Sequence, residues 1–177
     1  MDLTLGAFEV LKCIGEGAFG SVNLVKRKSD EHEFAMKTVP IGSLDAKDTE
    51  DALKECRLLA SLQHPRIVDF QAAFLSNNNN DLCIVMEFCE NGDLSQRIDK
   101  CKKDNMLIPE GTIWANMVQM AEGLAFLHSQ RIAHRDLKPG NVFIAADGSA
   151  KLGDLNVSKI SGLDSVLETC VRLFFNL

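Results

Sequence analysis

The chain has 177 residues, of which 46% are hydrophobic and 25% are charged, and its formal net charge is −6 at pH 7. This length and composition are typical of a globular protein with a sizeable core, and they exclude a disordered or fibrous chain. The negative charge argues against a general nucleic-acid binder and against a protein that binds anionic membranes.

A glycine-rich segment, Gly15-Glu-Gly-Ala-Phe-Gly20, lies near the start of the chain between two strand-like runs, Phe8–Ile14 and Ser21–Val25. In a dinucleotide-binding fold the third glycine opens a helix, whereas this chain continues as an alternating β-type run. Glycines in such a turn let backbone N–H groups approach an anion closely. The pattern therefore predicts a loop that covers phosphates; from the glycines alone, an ordinary hairpin turn is the alternative.

Two charged residues follow on predicted elements. Lys37 lies on a strand over Glu33–Val39, and its spacing from the glycines distinguishes it from an ordinary solvated lysine at a sheet edge. The run Leu44–Leu62 has the apolar spacing and the early acidic residues of an amphipathic helix. Glu55 lies on this helix, and Glu50 is the alternative carboxylate, which is interpreted as a surface charge.

Two further strands, Arg66–Phe74 and Asp81–Met86, are predicted on either side of the polar loop Ser76–Asn80. Helical patterns follow them. This change predicts a domain boundary near residue 89, with residues 1-89 in a first domain and residues 90-177 in a second.

The second half opens with two helix signals. Asp93 and Gln96 have the spacing of a capping box. Pro109-Glu-Gly-Thr112 starts the strongest helix of the chain, which ends near His128. The only tryptophan of the sequence, Trp114, lies in the apolar stripe of this helix and is predicted to be a core residue.

A polar loop, His134-Arg-Asp-Leu-Lys-Pro-Gly-Asn141, lies between two apolar flanks that read as buried strand-like anchors. Asp136 has the chemistry to accept a hydroxyl proton, Lys138 to neutralise a moving phosphate and Asn141 to bind Mg²⁺. A short hairpin leads from this loop to a second carboxylate, Asp154. Together these groups are what a phosphoryl-transfer enzyme needs.

The ordered set of glycine loop, strand lysine, helix glutamate, linker, His-Arg-Asp loop and following aspartate resembles the eukaryotic protein kinases. Lys138, two residues after Asp136, resembles the serine/threonine class. The segments Ile84–Leu94, Cys56–Val68 and Lys151–Lys159 are similar to the NIMA-related (NEK) kinases, and the resemblance covers residues 8 to about 171. It implies an α+β fold: a five-stranded antiparallel N-lobe with one helix, and the first, incomplete part of a mainly helical C-lobe.

The resemblance also implies ATP and Mg²⁺ as cofactors and a protein substrate with a serine or threonine hydroxyl. The expected catalytic residues are Asp136 as base, Lys138, Lys37 and Glu55, and the expected metal ligands are Asn141 and Asp154. Glu87 and Cys89 would hold adenine through their backbones, Asp93 would lie near the ribose and Met86 would guard the back of the pocket. The full set expected to contact the nucleotide is Ile14, Gly15, Gly17, Gly20, Val22, Ala35, Lys37, Met86, Glu87, Cys89, Asp93 and Phe143.

Two positions depart from the family pattern. Asn156 replaces the glycine of the Asp-Phe-Gly motif, and asparagine tolerates positive φ better than most residues with a side chain. After Val171 the chain reads Arg172-Leu-Phe-Phe-Asn-Leu177 and has no Ala-Pro-Glu motif, which predicts a truncated, alternatively spliced or frame-shifted product. The alternative function is therefore a catalytically impaired fragment that binds nucleotide or a partner as a regulatory module, and a third reading is an unstable chain with no role of its own.

The surroundings of the protein are predicted from weaker signals. The N-terminus lacks a signal peptide, no segment reaches transmembrane length, and the six cysteines have no zinc-site spacing. We therefore expect a cytoplasmic protein with reduced thiols and with no nucleic-acid or membrane partner. The family resemblance adds an expected cytoskeletal, ciliary or regulatory partner.

Overall fold

The computed structural model describes residues 4–17, 20–42, 61–76 and 80–155. The predicted helix over Leu44–Leu62, with Glu50 and Glu55, falls mostly on residues outside this set, as do Asn156 and the apolar C-terminal residues. By its contacts the chain divides into two compact units, one of Met1–Gln63 and Asp69–Phe88 and one of His64–Val68 and Cys89–Leu177.

The first unit contains the predicted five-stranded antiparallel sheet, with strand order β1-β2-β3-β5-β4. Its strands are β1 (Phe8–Gly17), β2 (Gly20–Arg27), β3 (Glu33–Pro40), β4 (Phe70–Leu75) and β5 (Asp81–Glu87). The strands β1 and β2 extend into the glycine-rich segment, where Gly17 pairs with Gly20. β4 is shorter than the predicted strand Arg66–Phe74, because the residues before it pair elsewhere.

Each face of this sheet carries its own apolar cluster. Directly opposite residues of antiparallel strands share a face, so the register assigns every side chain to one side. The larger cluster is built around Phe8, whose ring meets Phe34 edge-on at 6.4 Å and stacks on Phe74 at 6.0 Å. The smaller cluster, around Ile41 and Leu82, lies on the other face.

The second unit contains two helices and a hairpin among its described residues: α1 (Leu94–Lys103), α2 (Glu110–Ser129), β6 (Val142–Ile144) and β7 (Ala150–Leu152). The Asp93 side chain accepts a hydrogen bond from the Gln96 N–H at 2.9 Å, which confirms the predicted N-terminal cap of α1. The β6–β7 hairpin is also confirmed. In the described part of the chain, no helix is both long and apolar enough to span a bilayer.

Two short segments that are distant in sequence flank this hairpin. On the β7 side, Ile67 forms a parallel bridge with Leu152, whose N–H donates to the Arg66 carbonyl at 2.8 Å. On the β6 side, Asp93 forms an antiparallel bridge with Phe143. Both edges of the hairpin are therefore hydrogen-bonded to another part of the chain.

α2 packs closely on the segment before β4. A Cβ on the buried Gly123 would lie 2.9 Å from the Arg66 carbonyl oxygen, so only glycine allows this approach. The Arg66 guanidinium forms an ion pair with Glu122 at 2.9 Å, and His64 stacks on Phe126 with ring centroids 4.6 Å apart. These contacts place residues 64–68 in the second unit although they precede β4 in the sequence.

The prediction that Trp114 is a core residue is wrong for the part of the chain that is described. Trp114 is 59% exposed, whereas Leu127 on the same helix is fully buried. α2 is apolar around most of its circumference, and such a pattern does not indicate which face packs. The face with Asn116, Gly123 and Leu127 is buried.

Candidate active site

The start of β2 accepts only glycine. Gly20 has φ of +122°, and a Cβ built on it would lie 1.9 Å from the Thr38 carbonyl oxygen of β3. The backbone of the glycine-rich segment therefore rests directly on its neighbouring strand. Gly17 and Gly15 are paired in the ladder, opposite Gly20 and Val22. At these glycines the strands carry no side chain, as a phosphate-covering loop requires.

Ile14, the residue before the first glycine, lies at a β-bulge. The pairing shifts between Cys13 and Gly15, which leaves Ile14 as the extra residue of β1. It is 38% exposed. Bulges change the direction of a side chain relative to the regular pleat. The sequence predicted Ile14 as a site residue but gave no sign of this irregularity.

The residues on β2, β3 and β5 that are predicted to contact the nucleotide lie on one face of the sheet. Val22 is opposite Lys37, and Ala35 is opposite Met86, so these four side chains share the face of the smaller apolar cluster. Ala35 is 8% exposed. At the end of β5, the Glu87 N–H donates to the Asp69 carbonyl at 2.8 Å, which fixes the backbone of this linker residue.

Two side chains of the polar loop His134–Asn141 meet at one oxygen of the Asp136 carboxylate. Lys138 Nζ lies 2.7 Å from Asp136 Oδ2, and Asn141 Nδ2 donates to the same oxygen at 3.0 Å. Asn141 Nδ2 also donates to the Asp136 backbone carbonyl at 2.7 Å. The bond from Lys138, more than that from Asn141, lowers the pKa of Asp136 below its ordinary value, while burial acts in the opposite direction. Asp136 is therefore held ionised and oriented.

The buried residue His134 holds the start of this loop in place. Its side chain is fully buried, and the Asp136 N–H donates to its backbone carbonyl at 2.9 Å. Burial lowers the pKa of His134, and neither ring nitrogen makes a well-formed hydrogen bond within the described residues. The backbone of His134 itself, and then the charges of Asp136 and Asp154, oppose this lowering of the pKa. A neutral imidazole at this place acts as a packed core group.

Asn141 and Asp154 lie at the same end of the β6–β7 hairpin. Val142 is opposite Leu152, so Asn141 and Gly153 are the next pair, and the Gly153 N–H donates to the Asn141 carbonyl at 3.0 Å. A Cβ on Gly153 would lie 2.7 Å from Phe143 Cε2. This requirement for glycine was not predicted from the sequence, although a glycine between a strand and a carboxylate is a signal of close packing.

The oxygen atoms of the Asn141 and Asp154 side chains have the chemistry to bind a magnesium ion. Both hydrogen bonds of the Asn141 amide use its nitrogen, which directs the carbonyl oxygen of the side chain elsewhere. Within the described ranges, no group of three or more His, Cys, Asp or Glu side chains could hold a metal. A carboxylate and an amide oxygen are a typical protein contribution to Mg²⁺ that is also bound by substrate phosphates. The metal-ligand assignment of Asn141 and Asp154 stays a prediction.

The residues predicted near the nucleoside are held together by backbone pairing. Asp93 is bridged to Phe143, and the Cys89 carbonyl accepts a hydrogen bond from the Gly92 N–H at 3.1 Å. Cys89 is 7% exposed. The Asp93 carboxylate caps α1 through one oxygen, so its predicted ribose contact must use a group that is already oriented. The remaining predicted residue, Glu55, lies outside the part of the chain that the structure describes.

Comparisons with known proteins agree with the sequence motifs. Residues 8–173 match the protein kinase domain family. Mouse Nek3 (Mus musculus) is 40% identical over 86% of this chain and 29% of its own length. Human Nek5 (Homo sapiens) is 37% identical over 93% of this chain and 23% of its own length, and mouse Nek1 is 36% identical over 91% and 13%. These relatives are described as serine/threonine-protein kinases, and the chain spans less than a third of each. The resemblance seen in the sequence is thereby confirmed: the chain belongs to the protein kinase family and has Nek kinases among its relatives.

Proposed function

We propose that this chain is an ATP-dependent serine/threonine protein kinase that transfers the γ-phosphoryl group of ATP to a protein hydroxyl. The observation that carries the proposal is the Asp136 carboxylate, which Lys138 and Asn141 hold at 2.7 and 3.0 Å. Membership of the kinase family supports the class of reaction, and Lys138 supports a serine or threonine acceptor.

Asp136 is assigned to the acceptor hydroxyl. Its lowered pKa keeps the carboxylate charged at neutral pH, so it accepts a hydrogen bond from the hydroxyl and orients the oxygen towards the phosphorus. The proton passes to Asp136 as the hydroxyl oxygen bonds to the γ-phosphorus and the bond from this phosphorus to the β–γ bridging oxygen breaks, which releases ADP. Lys138 lies beside it with a cation that stabilises negative charge on the transferred group.

The other predicted residues hold the nucleotide and the metal. Lys37 is assigned to the α- and β-phosphates, and the backbone at Gly15, Gly17 and Gly20 to their cover. Asn141 and Asp154 would hold Mg²⁺. When bound, Mg²⁺ supplies charge neutralisation at the phosphate oxygens.

The expected partner rests on the family resemblance alone. We extend the proposal to a cytoplasmic setting with a cytoskeletal, ciliary or regulatory partner, in line with the expectation from the sequence. Imaging of the tagged protein tests it: co-localisation with microtubules or cilia supports the assignment, and uniform distribution contradicts it.

Thermal unfolding with and without Mg·ATP tests nucleotide binding. A ligand that binds only the folded chain raises the midpoint by mass action. We expect an upward shift for the wild type that is lost in Lys37→Ala and Asp154→Ala. Lys102→Ala, which removes an exposed lysine on α1, is the matched control and keeps the shift. A wild type with no shift at saturating Mg·ATP contradicts the proposal.

Turnover must then be separated from binding. Asp136→Asn removes the base but none of the groups assigned to the nucleotide, so it keeps the thermal shift and loses phosphoryl transfer to a serine/threonine peptide library. Binding by the wild type without any transfer identifies the alternative function, a nucleotide-binding module that is not catalytic.

A further inference from the structure

Asn91 connects the linker after β5 to the tip of the β6–β7 hairpin. Its side-chain Nδ2 donates to the Ala145 carbonyl at 2.8 Å, across 54 residues of sequence, and is 3.4 Å from the Ala146 carbonyl. We propose that Asn91 is a positioning residue that sets the geometry of the adenosine-binding side of the nucleotide site. This inference rests on the proposed kinase function.

The side chain extends a backbone ladder that ends at Asn91. The Ile144 N–H donates to the Gly92 carbonyl at 2.8 Å, and the Asn91 N–H donates to the Ile144 carbonyl at 3.2 Å. These two bonds pair Asn91 and Gly92 with the same residue of β6. The Asn91 amide supplies one more bond, to the carbonyl of Ala145, and thereby protects the end of the ladder from fraying.

The ladder determines where the proposed nucleoside groups lie. Asp93, assigned to the ribose, directly follows Gly92, and Phe143, one of the residues expected to contact the nucleotide, directly precedes Ile144. The two are themselves bridged. On the other side of Asn91, the Gly92 N–H closes a tight turn onto the Cys89 carbonyl at 3.1 Å, with Gly92 at φ of +68°. Asn91 therefore lies within the turn that joins Cys89 to Asp93.

The contact requires a hydrogen-bond donor. The partner atoms at Ala145 and Ala146 are both carbonyl oxygens, which the NH₂ group of an amide satisfies. Asn91→Asp has nearly the same shape but no donor, and it adds a negative charge beside two carbonyl dipoles. Asn91→Ala removes the bond without adding repulsion, and Asn91→Gln restores an amide donor on a longer stem.

If Asn91 had a purely structural role, its hydrogen bond would stabilise the hairpin without affecting nucleotide binding. Asp147 provides the control for this possibility, because its carboxylate accepts a hydrogen bond from the Ser149 N–H at 2.9 Å within the same hairpin turn. Asp147→Ala weakens the turn but leaves the Asn91 bond in place. The three Asn91 variants and Asp147→Ala are compared for the thermal midpoint without nucleotide, for the dissociation constant of Mg·ADP, and for kcat and the KM of ATP.

We expect Asn91→Ala to raise the Mg·ADP dissociation constant and the KM of ATP about threefold, Asn91→Asp about tenfold and Asn91→Gln less than either. For all three, kcat stays within twofold. Asp147→Ala lowers the midpoint without nucleotide but leaves the KM of ATP within twofold.

The inference is overturned if Asn91→Asp leaves the dissociation constant within twofold of the wild type, or if Asp147→Ala raises it equally. Failure of the proposed function looks different. In that case the wild-type chain transfers no phosphoryl group to a serine/threonine peptide, and the assignment of Asn91 falls with it only if that chain also binds no Mg·ADP.

Discussion

Lys138 is the main cause of the lowered pKa of Asp136, through an ion pair of 2.7 Å between Nζ and Oδ2. The same contact raises the pKa of Lys138. Both side chains remain partly exposed, at 57% for the lysine and 34% for the aspartate, so the pair is accessible to a substrate. One interaction thus sets the charge state and the orientation of the proposed base.

Replacing Lys138 by methionine should lower activity and change its pH dependence. Without the cation, the pKa of Asp136 rises, so the acidic limb of the kcat/KM profile moves to higher pH. We expect kcat to fall about 100-fold, because a charge that stabilises the transition state is lost. Steady-state kinetics across acid to neutral pH measure both effects. Lys138→Arg, which keeps a positive charge, is the control, and an acidic limb that does not move contradicts the assignment.

Gly20→Ala should destabilise the first unit. Gly140→Ala, in the second unit, should leave stability nearly unchanged. A Cβ at Gly20 meets the Thr38 carbonyl oxygen at 1.9 Å, while a Cβ at Gly140 has no atom within 4 Å. Strain and overlap together cost at least about 2 kcal/mol at the first position, and the change is within about 1 kcal/mol at the second. Urea denaturation measures the two free energies of unfolding. Equal values would contradict the close approach of β2 to β3.

Leu127→Ala and Trp114→Ala compare the two faces of α2. Leu127 is fully buried, so its truncation should cost about 2–5 kcal/mol, whereas Trp114 is 59% exposed and should cost less than about 1 kcal/mol. Chemical denaturation followed by circular dichroism measures both, since the tryptophan variant has no indole signal. A large cost at Trp114 would show that another part of the chain, or a partner, covers this face.

Asp30 should titrate well below an ordinary aspartate. Hydrogen bonds from Arg27, with Nε at 2.9 Å from Oδ1, lower its pKa from 3.8 to about 2. A carboxyl group with a lowered pKa contributes stability above its unfolded pKa and loses it as the pH falls, here between 3.8 and about 2. NMR titration of the side-chain carboxyl measures the value. Arg27→Gln should return it towards 3.8, and an unchanged titration would show that Arg27 is not the cause.

Local patterns in the sequence were sufficient for much of the fold. The five strands, the helix over Glu110–Ser129 and the cap at Asp93 follow from periodicity and from the residues at the ends of elements. The catalytic-loop cluster was also foreseeable, because Asp136, Lys138 and Asn141 are neighbours in one short loop. In such cases a few adjacent residues determine the geometry.

Pairing between distant segments could not be predicted in the same way. Ile67 reads as part of a strand that continues into β4, yet it bridges Leu152. Asn91 reads as a turn residue, and its bond to Ala145 depends on a hairpin 54 residues later. The exposure of Trp114 has a related cause, since periodicity shows that a helix is apolar without showing which face another element covers.

The two flanking segments of the β6–β7 hairpin have a consequence for folding kinetics. Neither edge of the hairpin is completed by its neighbours in sequence, so Asn141 and Asp154 reach their final places only after long loops have closed. Closing a long loop costs entropy before any stabilising contact has formed, so proteins with many contacts between distant residues fold slowly. We therefore expect the end of the hairpin that holds Asn141 and Asp154 to form late. During refolding, the recovery of nucleotide binding should lag behind the recovery of the helical signal from α1 and α2.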